Sequence, residues 1–313
     1  MLIRNIALAG VALLILAGSA RFLPWSPLAS TNPDSRDRAE PASSQTLAAS
    51  ASPAAPQSAS AAPTPSPTAT SVPPLLFRPA KLTIKTKGFW SWALMDRRTG
   101  QIWGSANLAA TTWPASMIKA WLVSDYLRRA AQSGQTPGST MMYELEITIR
   151  DSDNNAAQDI YVRNGRSASI RRLISLCGLT DSKPNASGWS FTNISARDTV
   201  RMADCIADGT AAGPRWTAWV LSMMRKIRIG DFGIRKALPP ALAATVSIKN
   251  GWLRYTDDLQ WHVNCMAVAG TWAMAVLQRY PGHGMWDSDF RHGQDVCRQV
   301  AGQLLNPSYP LAG

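Results

Sequence analysis

Histidine and cysteine are scarce in this chain, and glutamate is missing from its whole second half. The three histidines, His262, His283 and His292, form no HxH or HExxH pattern, and the four cysteines show no CxxC spacing. The closely spaced ligand pairs of metal sites are therefore absent, and no cofactor is expected. No zinc-finger, homeodomain or RNA-stacking motif accompanies the basic residues, which are scattered along the chain. Nucleic acid is thus excluded as a partner, although the formal charge is +12. No apolar run reaches the roughly 20 residues that a membrane-spanning helix needs. No cysteine follows the short N-terminal apolar run, so a lipid has no attachment point there.

What is present divides the chain unevenly. Residues 1–25 carry an early arginine, Arg4, continue through an apolar run from Ile6 to Leu16 and reach the small residues Ala17, Gly18, Ser19 and Ala20. That order describes a secretory signal peptide or, left uncleaved, a membrane anchor. Residues 26–75 are dominated by Ala, Ser, Pro and Thr. Such a composition buries too little apolar area to order itself and is read as an extended linker. Residues 76–313 carry the folded domain, with a helical subdomain over about 116–238. An exported chain meets an oxidising compartment, where cysteines pair. Cys177 is expected to join Cys205 and Cys265 to join Cys297, with buried free thiols as the alternative. The positive charge suits an anionic bacterial envelope, in which the protein would be secreted or membrane-tethered.

Within the domain, "FWSWALMDRRTGQIWGSAN" places large apolar residues on both sides of a polar turn ending in Gly100, the pattern of two paired strands. After Pro114 the period changes: Met117, Ile118, Trp121, Leu122, Tyr126 and Leu127 recur at helical spacing. Helical patterns follow in "NNAAQDIYVRN", "SASIRRLISLCG", "SARDTVRMADCIADG" and "PRWTAWVLSMMRKI". Ser195 and Asp198 open the third of these much as a capping box would. Strand patterns return in "AATVSIKNGWLR", "QWHVNCMAVAG" and "WAMAVLQRYP", and "GQDVCRQVAGQLL" closes the chain as a helix. The order predicts an α+β fold: an antiparallel sheet flanked by helices, a helical subdomain, and a cleft between them for the active site.

Three short elements carry chemistry. In "TTWPASMIKAWL", Ser116 lies three residues before Lys119, one helical turn away, so the amine can reach the hydroxyl. Taken alone, the serine reads equally as a helix N-cap and the lysine as a solvated charge. "RDSDNNAAQ" supplies Ser152 and Asn154, which face one way along an extended loop while Asp153 turns toward backbone. By itself this is a turn or cap. "SIKNGW" sets Lys249, Asn250 and Gly251 on a strand. A serine nucleophile needs a base, a proton for the leaving group and a cradle for the oxyanion, and the three elements together offer these.

Their order, Ser-x-x-Lys, Ser-Asp-Asn, Lys-x-Gly, resembles the motif set of the class A β-lactamases and penicillin-binding proteins, the superfamily of active-site serine enzymes. The resemblance covers roughly residues 85–305. It implies a β-lactamase/transpeptidase-like fold in which Ser116 is the nucleophile and Lys119 the base that activates it. Ser152 passes a proton to the departing nitrogen. Asn154 holds the substrate's side-chain amide and Lys249 its carboxylate, while the amides of Ser116 and Trp252 form the oxyanion hole. Gly251 is expected to let substrate lie along the strand. The implied substrates are β-lactams or peptidoglycan-peptide-like amides.

The chain departs from the family in three ways. Class A enzymes use a glutamate to activate the deacylating water, but no glutamate follows Glu146 here. Asp181 and Asp198, in the corresponding region, are one methylene shorter. Asn250 stands where threonine is usual, and the interval between Ser116 and Ser152 is short, which predicts a more open site. Acylation followed by slow release is the expected behaviour; the alternative is a catalytically degenerate module that binds peptidoglycan.

Overall fold

The computed structural model describes residues 74–282 and 288–309. The expected export segment, nearly all of the linker, and His283 lie outside the described residues. Strands β1 (Phe89–Asp96) and β2 (Gln101–Gly104) form the predicted hairpin. A two-residue strand β3 (Thr111–Thr112) then leads into a 3-10 turn, Ala115–Ile118, and helix α1, Lys119–Gln132. The helical block continues with α2 (Ser139–Arg150), α3 (Asn154–Arg163) and α4 (Ser167–Leu176). Strand β4 (Ile194–Ser195) pairs with β3 before α5 (Ala196–Ala207), α6 (Thr217–Arg225) and the short α7 (Pro240–Ala243). Strands β5 (Ser247–Ile248), β6 (Gly251–Arg254), β7 (Gln260–Ala269) and β8 (Trp272–Pro281) precede the closing helix α8, Ser288–Leu304.

Strands from the two ends of the domain merge into one antiparallel six-stranded sheet, ordered β2-β1-β8-β7-β5, with β6 also paired to β7. The period of two divides side chains between two cores. Ala93, Met95, Met266, Val268, Ala275 and Leu277 face the helical block, whereas Trp92, Leu94, Val263, Cys265, Met274 and Val276 face α8. Helix α1 is the axis of the first core, with Trp121, Leu122, Val123 and Leu127 wholly buried. Its buried carboxylate is satisfied locally, since Asp125 accepts from Arg128, Ser169 and Arg172, and Trp121 Nε1 donates to the Ser169 carbonyl. Such enclosure makes α1 a rigid base for the residues at its N-terminus.

Both expected disulfides form. Cys177–Cys205 joins the end of α4 to α5, and Cys265–Cys297 joins β7 to α8 across the second core. Helix α2 has no counterpart in the sequence reading, because "STMMYELEITIR" buries only Leu145, Thr148 and Ile149 and so lacks a strong apolar stripe.

Candidate active site

Ser116 sits in the 3-10 turn and not on the α-helix that the spacing predicts. Lys119 is the first residue of α1, and its backbone N–H donates to the Ser116 carbonyl, which fixes the two residues one tight turn apart. Positions i and i+3 eclipse in a 3-10 turn, so the side chains still share a face. The serine hydroxyl is not spent as a cap, since neither the turn nor α1 has a side-chain cap bond. Immediately before it, Ala115 adopts φ of 49°, and Ser152 adopts φ of 57°. Non-glycine residues hold this left-handed backbone only where their surroundings enforce it, as functional sites often do.

The enforcement around Ser116 is visible. Asn264 Nδ2 donates to the Trp113 carbonyl at 2.9 Å, His262 lies stacked on Trp113, and His262 Nδ1 shares a 3.1 Å hydrogen bond with Thr112 Oγ1. The other ring nitrogen of His262 meets Asp258 Oδ2 at 2.9 Å. Strand β6, whose Gly251 pairs with Asn264, packs against the same turn. A Cβ on Gly251 would fall 2.0 Å from the Pro114 carbonyl oxygen and 2.8 Å from Ser116 N. The space left by Gly251 therefore admits the backbone that carries Ser116, not a substrate strand as the sequence reading expects. It also brings Ser116 N beside the strand that bears Trp252.

Ser152 comes from the turn between α2 and α3, and Asn154 is the first residue of α3. Asp153 caps α3, accepting from Ala156 N at 2.8 Å, so its side chain turns to backbone as the sequence pattern requires. Lys119 Nζ donates to the Ser152 carbonyl at 2.5 Å and to Asn154 Oδ1 at 2.7 Å, and stands 3.3 Å from Ser152 Oγ. It makes no hydrogen bond to Ser116 among the described residues. Lys249 Nζ lies 3.0 Å from the same Ser152 hydroxyl, so this one oxygen touches both lysines. Burial brings the Lys119 pKa down to about 7, with nearby Asp153 working in the opposite sense. Burial and the charge of Lys119 both push Lys249 well below the ordinary lysine range. A neutral Lys119 has two N–H groups for its two short acceptors and a lone pair left over for a hydroxyl proton.

Other sequence-assigned groups are placed differently. Lys249 and Asn250 continue the β5–β6 register, with Lys249 N donating to the Met266 carbonyl. The Asn250 amide, however, points away from the cleft and donates to the carbonyls of Gly230 and Phe232 at 2.9 and 2.8 Å. It ties down the neighbouring loop, and its assignment to substrate binding does not fit this orientation. Asp198 accepts from the backbone of Thr180, Asp181 and Ser182, and Asp181 is held by Arg197 and Ser195. Neither carboxylate is free to serve as a base.

Sequence reasoning missed two residues. Trp189 covers Lys119, with Nζ 5.1 Å from its ring centroid and the indole N–H held by Gln158 Oε1 at 3.0 Å. Arg254 lines the same cavity of about 220 Å³ as Ser116, Ser152, Asn154, Trp252 and Trp261. "GWSF" and "GWLR" are ordinary loop and strand text, and no spacing rule flags either residue.

The whole domain can be laid on solved structures. It matches the TLA-1 extended-spectrum β-lactamase with a TM-score of 0.57, 14% identity, and coverage of 70% of this chain and 94% of that one. It matches a class A β-lactamase from Mycobacterium abscessus with a TM-score of 0.53 and 18% identity over 68% and 93% of the two chains. The fold is that of the class A β-lactamases. No family model matches the β-lactamase-like chain. By sequence it is 29% identical over 171 residues to LppW, a protein named as a lipoprotein, from Mycobacterium tuberculosis and Mycobacterium bovis. That match covers 52% of this chain, which spans only about half, 54%, of the relative's length.

Proposed function

We propose that the β-lactamase-like domain is an active-site serine hydrolase or acyltransferase, acylated at Ser116 by β-lactam or D-alanyl-peptide-like amides. The observation that carries this reading is the hydrogen-bonded cluster of Lys119, Ser152, Asn154 and Lys249, whose Ser152 and Asn154 line one cavity with Ser116, and in which burial brings Lys119 to about pKa 7. Ser116 Oγ bonds to the carbonyl carbon as its proton passes to the Lys119 amine. The carbonyl oxygen takes the negative charge and is held by the N–H groups of Ser116 and Trp252. When the C–N bond breaks, Ser152 protonates the leaving nitrogen and is reprotonated by Lys119, which returns the proton it took from Ser116. The product is an ester on Ser116 and a free amine.

Release of that ester needs an activated water or an amine acceptor. Trp189 lies over Lys119, and Asp181 and Asp198 are committed elsewhere, which supports slow hydrolysis. The N-terminal segment of the sequence and the lipoprotein name of LppW support an exported, envelope-associated setting. The second reading, a degenerate envelope-binding module, draws on the lack of a Ser116–Lys119 hydrogen bond and on the turned-away Asn250. A fluorescent penicillin separates the two. The first reading expects a covalent adduct that is absent in Ser116→Ala and persists for many minutes. No adduct at high probe concentration contradicts it, and release within seconds contradicts the slow-hydrolysis part.

A further inference from the structure

The turn that carries Ser116 and the turn that covers Lys119 are joined by a side chain with no part in the acylation chemistry. Tyr255 follows directly on β6, is 2% exposed, and donates its hydroxyl to the Ser190 carbonyl at 2.6 Å. Ser190 is the middle residue of the 3-10 turn Trp189–Phe191, which sets the Trp189 ring over Lys119. The backbone N–H of Ala115, whose φ is positive, faces the same phenol oxygen. The rings of Tyr255, Trp113 and Phe191 form a mutual triangle with centroids 4.8, 5.0 and 5.2 Å apart, and His262 lies 4.8 Å from Tyr255. Three segments distant in sequence thus meet on one phenol: the approach to Ser116, the Trp189 turn and the β6–β7 hairpin.

Trp189 has one further side-chain hydrogen bond among the described residues, from its indole N–H to Gln158 on α3. Burial, aided by the carboxylates of Asp257 and Asp258, raises the Tyr255 phenol above its usual range, so it stays a donor to Ser190. The charged groups acting on Lys119 are few: Asp153 favours its ammonium, and Lys249 is the neighbouring cation. The Trp189 ring face attracts an ammonium, but it also displaces the water that would solvate one. Burial is the larger influence on Lys119. Lifting the turn would therefore hydrate the amine and tighten its hold on the proton.

We propose that Tyr255 is a positioning residue for the base: by holding the Ser190 carbonyl, its hydroxyl keeps the Trp189 ring seated on Lys119 and water off that side of the amine. This inference rests on the reading of Lys119 as the base that serves Ser116. Tyr255→Phe keeps the ring cluster and removes only the hydroxyl. The titration of Lys119 is followed by NMR in protein whose lysines carry a carbon-13 label at Cε, its signal assigned by loss in Lys119→Arg, with folding checked by circular dichroism. The wild type is expected to titrate at about 7, and Tyr255→Phe about one pH unit higher, a tenfold tighter hold on the proton. Acylation by benzylpenicillin should then be about tenfold slower at pH 6 and converge with the wild-type rate by about pH 9.5, a pattern that general damage to the site would not give. Trp189→Leu should move Lys119 in the same direction, and adding Tyr255→Phe to it should move it no further. An unchanged Lys119 titration in either folded single variant, or additive shifts in the double variant, overturns the role of Tyr255. Because the titration needs no acylation, absence of a Ser116 adduct in every protein overturns the acyl-enzyme reading separately.

Discussion

At the scale of single residues, the chemistry turns on a lysine that gives up its proton easily. Lys119 acts as a base only when neutral, and burial brings its pKa from an ordinary 10.5 to about 7. The acylation rate should therefore rise with pH through about 7 and level off above it, as a stopped-flow pH profile will record. Lys119→Arg stays protonated throughout and should lose at least ~100-fold in rate. The same shift has a thermodynamic consequence. Between about pH 7 and 10.5 the unfolded chain holds a proton on Lys119 that the folded chain has released, so this residue makes stability increase with pH across that window. Ser116, Lys119, Ser152 and Asn154 are legible in sequence because each motif fixes residue type and spacing together. Asn250 is not, because a strand residue's orientation depends on what packs behind it, here the Gly230 and Phe232 carbonyls.

At the scale of elements, the site is a junction between strand β6 and the turn that bears Ser116. Gly251 makes that junction possible, since any Cβ would meet the Pro114 carbonyl and two backbone nitrogens. Gly251→Ala should separate the strand from the turn, cost about 1–3 kcal/mol of stability in denaturant titration, and abolish acylation. The glycine was readable as a close-approach position, but what approaches it was not, because the contacting backbone lies far away in sequence. Helices with a continuous apolar stripe, α1 and α5 above all, were visible, and so were the long strands β1, β7 and β8. Helix α2 and the β3–β4 pair were not. The first buries little, and two-residue strands carry no period to detect.

At the scale of the whole domain, the sheet separates two cores, and each disulfide ties elements around one of them. Cys265 on β7 and Cys297 on α8 are wholly buried, so the bridge pins that helix to the strand that also supplies Asn264 and His262 to the Ser116 turn. The double variant Cys265→Ala/Cys297→Ala should lose about 2–4 kcal/mol, read as a lower denaturant midpoint. The solved β-lactamases that share this fold are 14–18% identical to this chain in sequence. The decisive measurement is the intact mass of the protein after incubation with benzylpenicillin at pH 8, followed by peptide mapping. Acylation at the proposed nucleophile adds the mass of one penicillin to the peptide containing Ser116, an adduct that persists for many minutes and is absent in Ser116→Ala. An unchanged mass in folded protein, or an adduct on any other residue, would contradict that assignment.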